Sequence, residues 1–208
     1  MEKKQAKSII QDFFASLFSF IILAFILFNA YTFYDVWKAS QNLYEIPEQE
    51  YIRLIIYGSS SSSDGNTISA AFSIVDTNGN EIAKIERSWA GNYLAVDFAQ
   101  SDFNQKSFLF PSGIYGKERI MQTKSSRYKK TTLEKFYDDN SQCLLLGFGS
   151  TYEDRKNLYK ISRFANKKIP VLTFGRVSTY TLDLSDCKIN RYYSIQRTSS
   201  GKLLVLEL

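Results

Sequence analysis

The sequence predicts an α+β protein, in which one N-terminal transmembrane helix precedes a β-rich domain. Three observations favour this class. The first is a run of 22 residues without a charge, residues 13–34. The second is a series of β-branched and aromatic runs over residues 51–98, separated by Gly, Asn and Ser. The third is a helix-like segment between two apolar runs, within residues 143–175, which is typical of a βαβ unit.

Residues 13–34 are predicted to cross a membrane. A helix of this length rises about 33 Å, which is enough for a hydrocarbon core of roughly 30 Å. Its centre is apolar on all faces, whereas a surface helix of a globular domain has one apolar stripe. A buried core helix and a cleaved secretory signal are the alternatives. The run is longer than an ordinary signal core, and Phe28-Asn29-Ala30 lacks the small-x-small pattern of a cleavage site.

The charges beside this helix predict its orientation. Lys3, Lys4 and Lys7 precede it, whereas Lys38 is the only basic residue that follows it closely. Basic residues are retained on the cytoplasmic side, so the helix is expected to export the rest of the chain. The sequence therefore predicts a single-pass protein of the cell membrane. Residues 1–12 are expected to be a cytoplasmic tail, residues 13–34 the transmembrane helix, and residues 35–208 extracytoplasmic. The extracytoplasmic part is divided into a stalk at 35–50 and a β-rich domain at 51–208.

The first half of the exported domain is predicted to be an antiparallel meander. Its strands are expected at residues 51–57, 68–75, 82–89 and 93–98. Asn78-Gly79 lies between the second and third of these runs, and this pair is the strongest short signal for a hairpin turn.

The second half is predicted to contain a βαβ unit and a C-terminal hairpin. Two apolar runs, residues 143–147 and 169–175, are expected to be strands on either side of a helix at residues 153–167. Ser150 and Glu153 match a capping box at the start of that helix. The remaining strands are expected at residues 180–184, 192–197 and 202–206, the last two as a hairpin.

The cysteine and histidine content excludes several kinds of chemistry. The chain contains no His and two Cys, so it has no Ser-His-Asp or Cys-His nucleophile, no His-ligated metal and no four-cysteine zinc site. No catalytic, cofactor-binding or metal-binding residue is assigned, and no cofactor is expected. Cys143 and Cys187 are a candidate disulfide, because disulfides persist in an extracytoplasmic compartment. Two separate buried thiols are the alternative.

Two further motifs carry weak chemical signals. The Gly-rich turn at residues 147–151 precedes a helix, where a phosphate would fit, but it lacks the further Gly or Lys of nucleotide-binding motifs and is interpreted as a structural turn. Asp138-Asp139 is a carboxylate pair. Adjacent side chains point apart, whereas acid catalysis needs two carboxyls that converge across a cleft, so a turn is the favoured interpretation.

Charge is divided unevenly along the chain. Residues 44–110 carry 4 basic and 9 acidic side chains, whereas residues 111–168 carry 13 basic and 6 acidic ones. A candidate anion-contact patch in the basic part comprises Lys117, Arg119, Lys124, Arg127, Lys129 and Lys130. For an exported domain its partner would be an anionic lipid or an acidic envelope polymer, and nucleic acid is not expected. An ordinary solvated basic loop is the alternative.

The sequence therefore favours a membrane-anchored protein whose extracytoplasmic domain binds or scaffolds other envelope components, proteins among them, over an enzyme. Two other functions stay open. One is a His-independent, carboxylate-dependent envelope hydrolase or transferase, which would need a cleft with two carboxyls about 5–10 Å apart. The other is a basic module that contacts anionic headgroups or envelope polymers, which would need a positive face beside the stalk.

Overall fold

A computed structural model describes residues 2–45, 48–63, 65–119, 130–169 and 171–208. These residues contain two α-helices, α1 (Glu2–Gln41) and α2 (Tyr152–Ala165). The strands are β1 (Gln49–Ser62), β2 (Gly65–Val75), β3 (Glu81–Ala90), β4 (Tyr93–Phe103), β5 (Lys106–Lys117), β6 (Thr131–Thr132), β7 (Asp138–Asp139), β8 (Gln142–Cys143), β9 (Val177–Asp183), β10 (Tyr192–Arg197) and β11 (Leu203–Glu207). An N-terminal apolar helix followed by a sheet-rich domain confirms the α+β class.

α1 divides into an exposed apolar part and a packed C-terminal part. Every side chain from Phe14 to Phe28 is exposed. Val36, Ala39 and Leu43, by contrast, are each no more than 5% exposed and belong to the core of the domain. Val36 and Ala39, three residues apart, share one face of the helix, and Leu43 lies two residues beyond its end. The start of the segment predicted as a stalk therefore packs against the domain.

The strands form two main antiparallel sheets. The first has the order β11-β10-β1-β2-β3, and the second has the order β6-β5-β4-β9. β1, β2 and β3 form the first three strands of the predicted meander, and β10 and β11 form the predicted C-terminal hairpin. β4 leaves this meander and pairs with β5 in the second sheet. The local pattern of the sequence predicts no strand in the region of β5.

Two glycines allow the chain to pass from the first sheet to the second. Gly91, in the turn between β3 and β4, has φ +126°, and a Cβ there would lie 2.7 Å from the backbone of Lys117. A Cβ on Gly116 of β5 would lie 1.9 Å from the carbonyl oxygen of Ala90. Only glycine permits so close an approach of the two backbones, so these positions fix where the sheets meet.

The predicted βαβ unit is wrong. Leu144–Leu146 form a 3-10 helix after the two-residue strand β8, and residues 171–176 form no strand. Every strand pair between described residues is antiparallel. The apolar run that follows α2 contacts α1 instead of joining a sheet, because the backbone N–H of Leu172 donates to Asn29 Oδ1 at 2.7 Å.

α2 is confirmed as a helix, but its N-cap lies one residue from the predicted position. Thr151 is the N-cap, and its hydroxyl accepts from the backbone N–H of Asp154 at 3.1 Å. The same hydroxyl donates to the Asp154 carboxylate at 2.7 Å. The capping motif is therefore the Thr-x-x-Asp beginning at residue 151.

A single core joins the two sheets, α2 and the end of α1. The rings of Tyr51 in β1 and Phe98 in β4 meet edge to face, with centroids 5.7 Å apart. Phe33 of α1, Phe103 of β4 and Phe164 of α2 form a second aromatic cluster, with centroids 5.4–6.4 Å apart. This cluster lies where the exposed part of α1 ends.

Candidate functional site

Polar contacts fix the end of α1 to the domain. The ammonium of Lys106 donates to the carbonyl oxygens of Ser40, Gln41 and Leu43 at 2.6–3.2 Å. Lys160 of α2 forms an ion pair with Asp35 at 2.7 Å. A cation at a helix C-terminus satisfies unpaired carbonyls and complements the helix dipole. The end of α1 is therefore bound by charge as well as by apolar packing.

α2 lies antiparallel to the C-terminal part of α1. Phe164, near the end of α2, contacts Phe33, whereas Leu158 lines the same cavity as Leu43, two residues beyond the end of α1. The C-terminal end of α2 therefore points toward the exposed apolar part of α1. The segment between α2 and β9 must lie beside that part, and it carries the exposed side chains of Leu172 and Phe174.

A polar cleft of about 370 Å³ lies between α2 and the segment that contains β7. Glu134 and Asp138 bring two carboxyl groups to it, and Arg163 and Lys168 bring two cations. Lys168 forms an ion pair with Glu134 at 3.0 Å. In the sequence, the neighbouring pair Asp138-Asp139 is the more conspicuous feature. Glu134 is not singled out in the sequence, and no local pattern indicates that it shares a cleft with Asp138.

Burial and, to a smaller extent, the negative charge of Glu134 raise the pKa of Asp138 to about 7, against the opposing effect of Arg163 and Lys168. Asp138 Oδ1 is buried and has no hydrogen-bond partner among the described residues. The adjacent Asn140 and Ser141 both have positive φ and form the predicted turn, between β7 and β8. The turn thus directs one of its two Asp side chains into the cleft.

A groove of about 560 Å³ lies between β9 and β11, each of which is an edge strand of its sheet among the described residues. β9 lines one side with Tyr180 and Leu182, and the loop before β11 lines the other with Lys202. Edge strands carry unpaired backbone N–H and C=O groups. Leu204 and Leu206 of β11 are exposed as well. The groove and its two edges therefore have the features of a surface that binds an extended peptide.

The structure describes three residues of the predicted anion-contact patch. Lys117 is 2% exposed and forms an ion pair with Asp183. Lys130 donates to the Asp97 carboxylate at 2.8 Å, and Arg119 is exposed. The other three members, Lys124, Arg127 and Lys129, lie outside the described residues. Two of the three described cations are thus engaged within the domain, and the patch stays a prediction.

Both cysteines are free thiols in the structure. Cys143 is buried in the core, and burial together with the charge of Asp138 raises its pKa well above the ordinary value. Cys187 is half-buried, and burial raises its pKa to about 11. Nucleophilic cysteines require a lowered pKa, so these two thiols lack the electrostatics of a reactive site. The structure does not join them as the candidate disulfide.

No family model, curated protein or solved structure matches this chain. Among the residues that the structure describes, no group of Cys, Asp and Glu side chains is arranged to bind a metal ion. Within the described residues, one helical segment, Phe14–Gln41, is long and apolar enough to cross a membrane.

Proposed function

We propose that this is a single-pass membrane protein, anchored by α1, whose β-rich domain lies outside the cytoplasm and binds or scaffolds other envelope components. The observation that carries the proposal is the continuous exposure of side chains from Phe14 to Phe28. Fifteen consecutive residues rich in Phe, Ile and Leu are too large an apolar surface to stay in water. A bilayer supplies the apolar environment that such a helix needs.

The charge distribution supports the orientation. Three lysines lie within the first seven residues, and the first acidic residue beyond the apolar run is Asp35. The positive-inside rule assigns the short N-terminal tail to the cytoplasm. The domain that begins at the end of α1 would then be extracytoplasmic.

The packing of α1 against the domain supports a scaffolding role. The contacts of Lys106 and Lys160 hold the C-terminal part of α1 against the core. The domain would therefore keep a fixed orientation at the membrane surface. A fixed orientation presents the groove between β9 and β11 in the same way to every partner, which suits strand addition by an extended peptide of an envelope protein.

Alkaline extraction of membranes tests the anchor. The full chain is expected to stay in the membrane pellet. The variant Ile22→Arg with Leu23→Arg is expected to leave it, because each Arg near the centre of a transmembrane helix costs about 2.5–3.5 kcal/mol on the insertion scale. The matched control, Ile22→Val with Leu23→Val, should be retained. Release of the unaltered chain by alkali would contradict the proposed anchor.

The polar cleft favours a second candidate function, a carboxylate-dependent hydrolase or transferase. The observation that favours it is that two carboxyl groups, Asp138 with a raised pKa and Glu134, line the same cleft. A general acid needs such a raised pKa. Cleavage of envelope glycan by the purified protein, lost in Asp138→Asn and in Glu134→Gln but kept in Asp139→Asn, would establish this function. Absence of cleavage by the unaltered protein would leave the binding role.

A further inference from the structure

The segment between α2 and β9 carries two exposed apolar side chains beside the apolar helix. We call residues 171–176 the apolar loop. Leu172 is 53% exposed and Phe174 is 66% exposed. The backbone N–H of Arg176 donates to the carbonyl oxygen of Thr173 at 2.8 Å and closes a turn. The turn directs Phe174 outward, and Gly175 follows with φ +73°.

The apolar loop is bound to α1 at a position before the C-terminal end of the helix's charge-free run. The backbone N–H of Leu172 donates to Asn29 Oδ1 at 2.7 Å, and the Asn29 amide donates to the carbonyl oxygen of Phe25 at 2.8 Å. The ring of Phe174 meets that of Phe33 edge to face at 5.9 Å. Asn29 lies five residues before Tyr34, the last residue of the run, which corresponds to about 7.5 Å along the helix. Interfacial segments lie at a depth of about 5–10 Å.

An apolar groove of about 390 Å³ lies between the apolar loop and α1, beside their points of contact. Phe25, Ile26 and Ala30 line it on the helix side, and Leu172 and Phe174 line it on the loop side. The one polar side chain in its lining, Asn29, has both its amide nitrogen and its oxygen hydrogen-bonded. An open groove with this lining fits a hydrocarbon chain better than water.

Basic residues flank the apolar loop on both sides. Lys167 precedes it and Arg176 ends it, and both side chains are exposed. Cations that border apolar side chains are typical of segments that lie at a bilayer surface, where they contact lipid phosphates.

We infer that the apolar loop inserts into the outer leaflet of the bilayer that α1 crosses. Leu172 and Phe174 lie at the boundary of headgroups and acyl chains, Lys167 and Arg176 contact phosphates, and an acyl chain occupies the groove. This inference rests on the proposed anchor. Its consequence is a second contact with the membrane, which prevents the domain from turning about the axis of α1.

Depth-dependent fluorescence quenching tests this insertion in the full chain, reconstituted into phosphatidylcholine–phosphatidylglycerol vesicles. Single cysteines are introduced by Leu172→Cys and Phe174→Cys in a background of Cys143→Ala and Cys187→Ser, and are labelled with an environment-sensitive dye. Phe20→Cys, within α1, reports the anchor itself. Phe148→Cys is the matched control, because Phe148 is 78% exposed and lies near the opposite end of α2.

The expected result is a blue-shifted emission at positions 172 and 174 that is quenched by lipids with a spin label high in the acyl chain. Position 20 should be quenched by deeper labels, and position 148 should not be quenched. Quenching at position 20 with none at 172 and 174 would overturn the loop insertion while leaving the anchor intact. Absence of quenching at position 20 would overturn the anchor. Emission transfer between loops of two copies, without lipid quenching, would show that a second copy covers the loop and would overturn the inference.

Discussion

A chain that begins at residue 32 is expected to fold as a soluble domain, whereas one that begins at residue 44 is expected to be unstable or unfolded. The shorter chain loses Val36, Ala39 and Leu43 from the core. Full burial of a Val or Leu side chain contributes about 1.5–3 kcal/mol, so the loss amounts to several kcal/mol out of a total stability of about 5–15 kcal/mol. Both chains keep the ion pair of Glu45 with the buried Arg197. Circular dichroism and thermal unfolding measure the difference.

A pair of point variants separates packing from chain length. In the chain that begins at residue 32, Val36→Asp should be as damaging as the shorter truncation, because it places a carboxylate at a position that is 1% exposed. Tyr34→Asp should leave the melting temperature within a few degrees of the parent, because Tyr34 is 56% exposed. Equal stability of the two truncated chains would show that the domain does not need α1.

Asp138→Asn is expected to stabilise the domain more at pH 8.5 than at pH 5, where only part of the destabilisation by this carboxyl has developed. The pKa of this carboxyl is raised to about 7 in the folded state from an ordinary value of 3.8, so the folded protein binds more protons than the unfolded chain between these values. Stability therefore falls as pH rises from about 4 to 7 and stays lower above that range. Asp138 is partly exposed, and solvent screening reduces the effect on stability to about 1–2 kcal/mol.

Urea unfolding of the full chain in detergent micelles at the two pH values measures this effect. Asp139→Asn is the matched control, because Asp139 is exposed and lies outside the lining of the cleft. Its unfolding free energy should differ from that of the parent by the same small amount at both pH values. A stabilisation by Asp138→Asn that is equal at pH 5 and pH 8.5 would contradict a carboxyl that is neutral below pH 7.

Local patterns in the sequence predict much of the fold but not how its parts pair. The meander and the C-terminal hairpin follow from β-branched runs and turn residues, which act between neighbours in the chain. Whether a strand pairs with a parallel or an antiparallel partner is decided by contacts far apart in sequence. The apolar run at residues 171–174 is compatible with a buried strand, and its bond to Asn29, 143 residues away along the chain, is invisible in the local pattern.

The candidate sites depend still more on distant contacts. Lys117 belongs to a basic run in sequence, yet in the folded chain its side chain is buried and pairs with Asp183. The predicted stalk missed the packing of Val36 and Ala39, which are three residues apart and share one face of α1. The polar cleft depends on how α2 packs against the segment that contains β7, and no local pattern in the sequence predicts that packing.

Thiol labelling in intact spheroplasts tests the membrane topology most directly. Tyr44→Cys and Ser8→Cys are each introduced into the background of Cys143→Ala and Cys187→Ser, and Tyr44 is 91% exposed just beyond α1. A membrane-impermeant maleimide is expected to label position 44 in intact spheroplasts and position 8 only after lysis. Labelling of position 8 in intact spheroplasts, with position 44 labelled only after lysis, would contradict the extracytoplasmic location of the domain.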